Sequence, residues 1–120
     1  MAILRNVCGD PETFLSVPAG ASLECAPIDL DLADVQTGTL TLDVGAGSGM
    51  LKLSAEISAD GVSGRVSVGD LITGVVDGSP AVFNLSDAAF SFSRYLIMTV
   101  TETGGVSPAT ARSVFQAQER

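Results

Sequence analysis

The sequence predicts an all-β protein: a single antiparallel β-sandwich with jelly-roll-like topology and an extended N-terminal arm. Apolar residues alternate with polar residues over many short segments, which is the two-residue period of half-buried strands. Glycine, proline and Asp-Gly pairs separate these segments and are typical of tight turns. No stretch shows convincing helical periodicity, so about eight or nine short strands are expected to form two packed sheets.

The central strand is predicted within residues 85–103. Phe90 and Phe92 alternate with serines, and residues 95–98 are continuously apolar, so both faces of this strand are expected to be covered. Arg94 interrupts the apolar block. Its guanidinium must reach the rim of the domain, a carboxylate or a neighbouring subunit.

An N-terminal arm is predicted for residues 1–20, followed by the sandwich domain at residues 21–120. Prolines and glycines interrupt the arm and leave few alternating positions. The arm either packs on a neighbouring subunit or runs over the surface of its own domain. Packing on a neighbour would protect its apolar side chains from water. The candidate assembly contacts are therefore Ile3, Leu4, Val7, Phe14 and Leu15, together with Arg94.

The remaining strands are predicted from alternation and turns. Residues 38–57 are expected to form a hairpin around the glycine-rich turn at residues 45–49, and Asp60-Gly61 marks the next turn. The last element, residues 109–118, has a composition that also allows a helix, and we favour a strand that closes an edge of the sandwich. Further strands are expected at residues 28–32, 65–68, 71–76 and 81–85.

The glycine-rich stretch at residues 42–49 looks like the first motif of S-adenosylmethionine methyltransferases. In that motif the loop approaches the cofactor and opens a helix. Here the two-residue period continues where the helix should begin, and the chain has no room for the rest of that fold. No convincing set of catalytic residues follows. We therefore expect no enzyme activity, no catalytic residues and no cofactor.

Metal binding is not expected either. Asp29, Asp31 and Asp34 lie close together in the sequence, but the glycine and the distal glutamate of an EF-hand loop are missing. A solvated acidic face is the preferred interpretation. Two thiolates without any histidine would leave a zinc site half built.

The charge of the chain limits its partners. The formal net charge is −8, which argues against nucleic acid, because phosphates need lysine and arginine. An excess of acidic residues keeps a protein soluble or provides a negative surface for a basic partner. The longest apolar run is too short for a transmembrane helix, and the N-terminus is too short and polar for a signal peptide. We expect synthesis in a cytoplasm without an export signal, and no membrane partner.

Cys8 and Cys25 are the two cysteines of the chain. They are either reduced thiols in a cytoplasmic product or a disulfide, within the chain or between subunits, that forms after release into an oxidising medium. Closing a loop of this size would stabilise the fold by roughly 3 kcal/mol.

Four motifs carry a resemblance to a known group of proteins. They are residues 38–44, the Asp-Gly turn within 58–61, residues 83–90 and the Arg-Tyr-Leu step at 94–96. Over residues 37–118 the chain resembles small β-sandwich structural proteins of tailed bacteriophages. The resemblance implies a virion protein, such as a capsid decoration protein or a neck or tail component. It implies no catalytic residues.

Two functions from different classes follow. The first is a structural virion protein that self-associates and binds other virion proteins of the capsid, neck or tail. The alternative is a β-sandwich module that binds a glycan or a host surface. Sugar platforms usually need exposed aromatic residues, often tryptophan, which this chain lacks. This favours the structural function.

Overall fold

A computed structural model describes residues 3–8, 15–25, 27–32, 34, 37–45, 49–76, 80–85 and 94–119. For residues 3–8 and Leu15 the backbone alone is described. These ranges hold ten strands and a short 3-10 turn. The strands are β1 Ile3–Cys8, β2 Leu15–Val17, β3 Ser22–Glu24, β4 Ile28–Asp29, β5 Thr39–Val44, β6 Leu51–Ser58, β7 Val66–Val75, β8 Ala81–Asn84, β9 Tyr95–Glu102 and β10 Ala109–Gln118; the turn is Leu30–Leu32.

The strands form two antiparallel sheets. Sheet A has the order β1-β10-β5-β8, with β2 also paired to β10, and sheet B has the order β3-β9-β6-β7, with β4 also paired to β9. The pairs are nested along the chain: β6 with β7, β5 with β8, β3 and β4 with β9, and β1 and β2 with β10. A long antiparallel ribbon wrapped in this way is a jelly roll. The predicted fold class is therefore confirmed.

The core lies between the two sheets, and strict alternation builds it. Every second residue of β5, β6, β9 and β10 is buried, and the residues between them face outwards. Two residues on the outward-facing phase are also buried: Ile97 is 0% exposed although it lies outside the main core, and Ser58 at the end of β6 is 1% exposed. The expectation that both faces of this strand are covered is thus confirmed at Ile97. The largest core residues are Phe115, Ile28, Leu40, Leu42, Leu51, Leu53, Leu85, Leu96 and Met98.

The predicted central strand is an interior strand. β9 lies between β6 on one side and β3 and β4 on the other. Phe90 and Phe92, which contributed to this prediction, lie outside the described residues. Sheet A has its own interior strand in β10, which pairs with β1 and β2 on one side and β5 on the other. The prediction that residues 109–118 form a strand is confirmed, but its placement at a sheet edge is wrong.

The predicted hairpin at residues 38–57 is also wrong. Its two strands exist, but β5 belongs to sheet A and β6 to sheet B, so their connection crosses between the sheets. Gly45 donates its N–H to the carbonyl of Thr110 at 2.9 Å. Gly49 packs so closely on β10 that an added Cβ would lie 2.6 Å from the Cβ of Ala109. The glycines at both ends of this connection therefore contact the start of β10.

Two further segments differ from their predictions. The two strands expected at residues 65–68 and 71–76 are one bulged strand, β7, whose register against β6 shifts. Gly69 and Gly74 have φ values of 87° and 69°, which allow the bulges without strain. The alternating run at residues 28–32 gives only the short strand β4, after which Leu30–Leu32 turns as a 3-10 helix.

The described parts of the predicted arm are extended, as expected. However, β1 and β2 both pair with β10 of the same chain, so they complete sheet A. Without β1 and β2, the side of β10 away from β5 would have unpaired N–H and C=O groups. The extended N-terminal segment supplies the hydrogen bonds to these groups. Residue 20 is therefore not a structural boundary. Phe14 and the side chains of Ile3, Leu4, Val7 and Leu15, the predicted assembly contacts, lie outside the described residues.

Candidate interaction surface: a loop end held by Glu102

Three connections meet at the end of the sandwich where β9 terminates. They are residues 18–21, 49–50 and 103–108, and we call them the loop end. At their centre lies Glu102, the last residue of β9. It continues the core-facing alternation of that strand and is 1% exposed. A carboxylate at such a position must be satisfied by hydrogen bonds.

Four backbone N–H groups satisfy the Glu102 carboxylate. Oε1 accepts from Gly20 at 3.1 Å and from Gly105 at 2.6 Å, and Oε2 accepts from Met50 and from Gly104, both at 2.9 Å. The donors come from all three connections. One side chain therefore fastens three loops that are far apart in the sequence, and it fixes the shape of the loop end.

These hydrogen bonds lower the pKa of the Glu102 carboxyl group. The N–H groups of Met50, Gly105 and Gly104 stabilise the charged carboxylate, and they bring the pKa of Glu102 from its usual 4.5 to about 2, although burial opposes the shift. Glu102 is consequently charged throughout the neutral range. Its contribution to stability is fully present above about pH 4.5 and is lost as the pH falls through about 2.

The surface of the loop end is uncharged and partly apolar. Residues 18–21, 49–50 and 103–108 contain no charged side chain. Two apolar side chains protrude from it: Met50 is 41% exposed and Val106 is 88% exposed. The N–H of Met50 donates to Glu102, and Val106 follows the donor Gly105 in the sequence. The hydrogen bonds that hold the loops therefore also position these two side chains.

Ion pairs cover the sides of the domain. All four cationic side chains that the structure describes contact carboxylates, and these pairs are partly exposed. Such pairs add little stability. They neutralise the four described cations, so the described side chains form no basic patch. The pairs are Lys52 with Asp70 at 3.4 Å, Arg65 with Glu24 and Glu56, Arg94 with Asp29 at 3.0 Å, and Arg112 with Asp43 at 3.1 Å.

Arg94 lies at the opposite end of β9. Its guanidinium donates to both carboxylate oxygens of Asp29, at 3.3 and 3.0 Å, and lies 5.3 Å from the centre of the Tyr95 ring. Asp31 is 3.7 Å away. The hydrogen bond from Arg94 lowers the pKa of Asp29. The guanidinium therefore reaches a carboxylate and is also exposed at the rim of the domain, and two of the clustered aspartates lie beside it. Its contact with a neighbouring subunit stays a prediction.

The β6–β7 turn is held by a second acidic cap. Asp60 accepts hydrogen bonds from the N–H groups of Val62 and Ser63, both at 2.8 Å, and from the Ser63 hydroxyl at 2.7 Å. These bonds lower the pKa of Asp60. Gly61 approaches the Tyr95 ring, since an added Cβ would lie 3.3 Å from the ring. The predicted Asp-Gly turn thus packs on the outer face of sheet B.

Cys25 is buried and disulfide-bonded. The chain has one other cysteine, Cys8 in β1, whose side chain lies outside the described residues. Since β1 belongs to sheet A and Cys25 follows β3 of sheet B, a bridge between them would join the two sheets.

We expect the purified, unreduced chain to show no thiol reactive with Ellman's reagent after denaturation. Cys25→Ser should lower the free energy of unfolding by roughly 3 kcal/mol, since it opens a closed loop in the unfolded chain. Cys8→Ser should have a similar effect, and the double variant should add little to either. A pair of reactive thiols per unreduced chain would contradict the bridge, and a reduction-sensitive dimer on a gel would place it between subunits.

Comparisons with known proteins identify the fold. No family model matches the sequence, and no curated protein matches it. The chain is similar to a chain of T=1 particles derived from infectious bursal virus, with a TM-score of 0.56 and 11% identity over 98% of this chain and 31% of that chain. For a VP2 subviral particle of infectious bursal disease virus the TM-score is 0.53 and the identity 11%, over 98% of this chain and 32% of that chain. For PirA the TM-score is 0.53 and the identity 13%, over 95% of this chain and 92% of PirA.

At these identities the likeness concerns the fold alone. The chain spans about a third of the length of the two viral chains and nearly all of PirA. The protein is accordingly a β-sandwich module. No helix within the described ranges is long and apolar enough to cross a membrane.

Sequence analysis missed the loop end. It singled out neither Glu102 nor the two protruding residues Met50 and Val106. One signal was present in the sequence. Glu102 lies on the same side of the strand as Leu96, so it is predicted to face the core, where an acidic residue needs hydrogen-bond donors. Gly104 and Gly105 follow it and can supply backbone N–H groups.

Proposed function

We propose that this protein is a non-enzymatic structural component of a tailed-phage virion, at the capsid surface, neck or tail. It acts through contacts with other virion proteins and with copies of itself, and it has no nucleic-acid or membrane partner. It is made in the host cytoplasm, and the disulfide at Cys25 forms after release into an oxidising medium. The sequence motifs at residues 38–44 and 94–96 favour the phage assignment.

The loop end is the observation that carries this proposal. In a protein of net charge −8, the three connections of the loop end carry no charged side chain, and Met50 and Val106 protrude from them. Interface cores are depleted of charged residues and enriched in methionine. Because Glu102 fixes the loops in advance, little ordering is required on binding. This combination suits a permanent protein contact better than a catalytic cleft.

The fold is compatible with such a role. Jelly rolls occur in viral capsids and in lectins, so the topology supports both the virion proposal and its alternative without deciding between them. The acidic sides of the domain suit contact with basic surfaces of neighbouring proteins.

The test is quantitative mass spectrometry of particles purified by density gradient from the host strain that encodes this chain. We expect peptides of the chain at a constant copy number relative to the major capsid protein. Absence of the chain from particles that are complete in their other components would overturn the proposal.

Variants assign the contact to the loop end. Val106→Asp and Met50→Asp place a charge on the uncharged face and should abolish incorporation into particles while leaving the melting temperature nearly unchanged. Val62→Asp is the matched control, because Val62 is also strongly exposed but lies in the β6–β7 turn at the other end of the sandwich. Equal incorporation of all three variants would exclude the loop end as the contact.

A shallow polar pocket favours the alternative of a glycan-binding module. Its side chains offer hydroxyl and amide groups, which suit sugar hydroxyls. A glycan array probed with the intact protein tests this alternative, and binding that Gln116→Ala abolishes would support it. The pocket encloses about 240 Å³ and is lined by Thr37, Thr39, Gln116, Ala117 and Gln118.

A further inference from the structure

A disulfide ties the first strand of the fold to the opposite sheet. Cys25 is disulfide-bonded, and Cys8 is the one other cysteine of the chain, so a bridge within the chain joins these two residues. Cys8 is the last residue of β1 in sheet A, whereas Cys25 directly follows β3 in sheet B. The bridge therefore runs from one sheet to the other.

The strand register brings the two cysteines to the same level of the sandwich. Cys8 is the partner of Ser113 in the ladder between β1 and β10. Ser113 is 0% exposed, and its hydroxyl oxygen lies 3.6 Å from the sulfur of Met98 in β9. The N–H of Cys25 donates to the carbonyl of Met98 at 2.8 Å. Ser113 and Met98 thus meet between the sheets, and each of them is a backbone neighbour of one cysteine.

β1 is the strand that this topology can release at the lowest cost to the rest of the fold. It precedes every other described element, and its pairing with β10 is the outermost of the nested pairs, so its departure breaks no other ladder. Among the described residues β1 pairs with β10 alone, over six register pairs. Chain ends with few partners are the usual places of local opening.

The register also places little apolar volume of β1 on the core side of sheet A. The partners of three core-facing residues of β10 are Leu4, Asn6 and Cys8. Directly opposite residues of an antiparallel pair lie on the same face of the sheet. The core-side positions of β1 therefore hold one aliphatic residue, one amide and one cysteine. A single aliphatic residue offers little apolar surface to hold the strand, so the bridge at Cys8 carries much of its attachment.

We propose that the bridge between Cys8 and Cys25 is a redox latch on β1. In the oxidised chain β1 is fixed in sheet A, and in the reduced chain it leaves β10 while the rest of the sandwich stays folded. A dithiol opens the latch by thiol–disulfide exchange: the bridge gains two electrons and two protons and becomes two thiols, and the dithiol becomes a cyclic disulfide. The latch is a property of the fold and does not depend on the proposed function.

Limited digestion with trypsin, with and without dithiothreitol, tests the latch in the folded protein. Arg5 is the one tryptic site in β1, and Arg112 is the one tryptic site in the interior strand β10. Trypsin needs extended chain on both sides of the cleaved bond, and the bridge holds Cys8, three residues after Arg5. We expect reduction to accelerate cleavage after Arg5 by about tenfold or more and to leave cleavage after Arg112 unchanged.

Two outcomes of this digestion would overturn the latch. An unchanged rate after Arg5, with both thiols shown to be free by Ellman's reagent after denaturation, would mean that β1 stays paired without the bridge. Equal acceleration after Arg5 and Arg112 would mean that reduction unfolds the whole sandwich and does not release β1 selectively.

Cys8→Ala opens the latch without a reductant. It should show the same selective cleavage after Arg5, now insensitive to dithiothreitol. Leu53→Ala is the matched control, because Leu53 is 0% exposed in β6 of sheet B, and its truncation weakens the core but keeps the bridge. In this control, cleavage after Arg5 and Arg112 should rise in parallel. Selective cleavage after Arg5 in Leu53→Ala would show that general weakening releases β1, contrary to the proposal.

Hydrogen exchange followed by mass spectrometry locates the release. In the reduced protein the amides of β1, and those of β10 that pair with β1, should exchange about tenfold faster or more, whereas those of β6 and β9 should not change. Faster exchange in all four strands would contradict a local release, and a reduction-sensitive dimer on a gel would place the bridge between subunits and overturn the latch. These experiments use purified protein, so absence of the chain from particles refutes the proposed function alone.

Discussion

Replacing Phe115 by alanine is expected to lower the free energy of unfolding by about 3–5 kcal/mol. Phe115 is 0% exposed and lies on β10, an interior strand of sheet A, opposite Leu40 of β5. The other core-facing residues of β10 are alanines and Ser113, so Phe115 supplies most of the side-chain volume of this strand. The alanines and Ser113 on the same face of β10 have side chains too short to reach into the cavity that the variant creates. Urea denaturation followed by far-ultraviolet circular dichroism measures the change.

Val114→Ala is the control for this prediction. Val114 is adjacent on the same strand but faces outwards and is only half-buried, so its truncation should cost much less. Comparable losses for the two variants would show that the core face of β10 is misassigned. A loss below about 1 kcal/mol for Phe115→Ala would mean that the cavity collapses, contrary to the packing described.

The sequence predicted the fold class because alternation is a local signal. A strand such as β5 or β6 is recognised as half-buried because every second residue in its sequence is apolar. The partner of a strand is not local. The glycine-rich connection between β5 and β6 is compatible with a tight hairpin and with a crossing between sheets, and only the nested pairing of the whole chain decides between them.

The same limit explains the misplacement of β10. Its composition indicated a strand, and its position at the end of the chain suggested an edge. In a jelly roll, however, the last strand lies beside the first, and the N-terminal segment covers its outer flank. The first strand, β1, pairs with β10 more than a hundred residues away in sequence, so no local pattern reveals this partner.

The loop end was harder to predict, because its donors are backbone groups. Glu102 accepts hydrogen bonds from the backbone N–H groups of Gly20, Met50 and Gly104. Every residue other than proline has such a group, so no sequence motif identifies these donors. Gly104 contributes by allowing close approach, since an added Cβ there would lie 3.1 Å from Oε2 of Glu102. Gly20 and Gly105 contribute through their positive φ values of 71° and 74°.

Glu102→Gln is expected to produce the largest effect on the loop end. The amide keeps one acceptor oxygen but turns an NH2 group towards N–H donors, so two of the four hydrogen bonds are replaced by repulsion. At neutral pH the variant should melt clearly below the wild-type protein. The pKa of Glu102 is lowered from 4.5 to about 2 in the folded state, so the wild-type advantage should shrink as the pH falls from about 4.5 towards 2. Thermal melts across this range measure the difference.

Asp60→Asn is the matched control, because Asp60 is also an acidic cap with a lowered pKa but holds the β6–β7 turn at the opposite end. Both variants should lose stability at neutral pH, and in both the loss should diminish in acid. Only Glu102→Gln should also reduce incorporation into particles, since it alone releases the loops that position Met50 and Val106. A Glu102→Gln protein that melts like the wild type at neutral pH would contradict the network. Equal loss of incorporation in both variants would show that stability, and not the shape of the loop end, limits assembly.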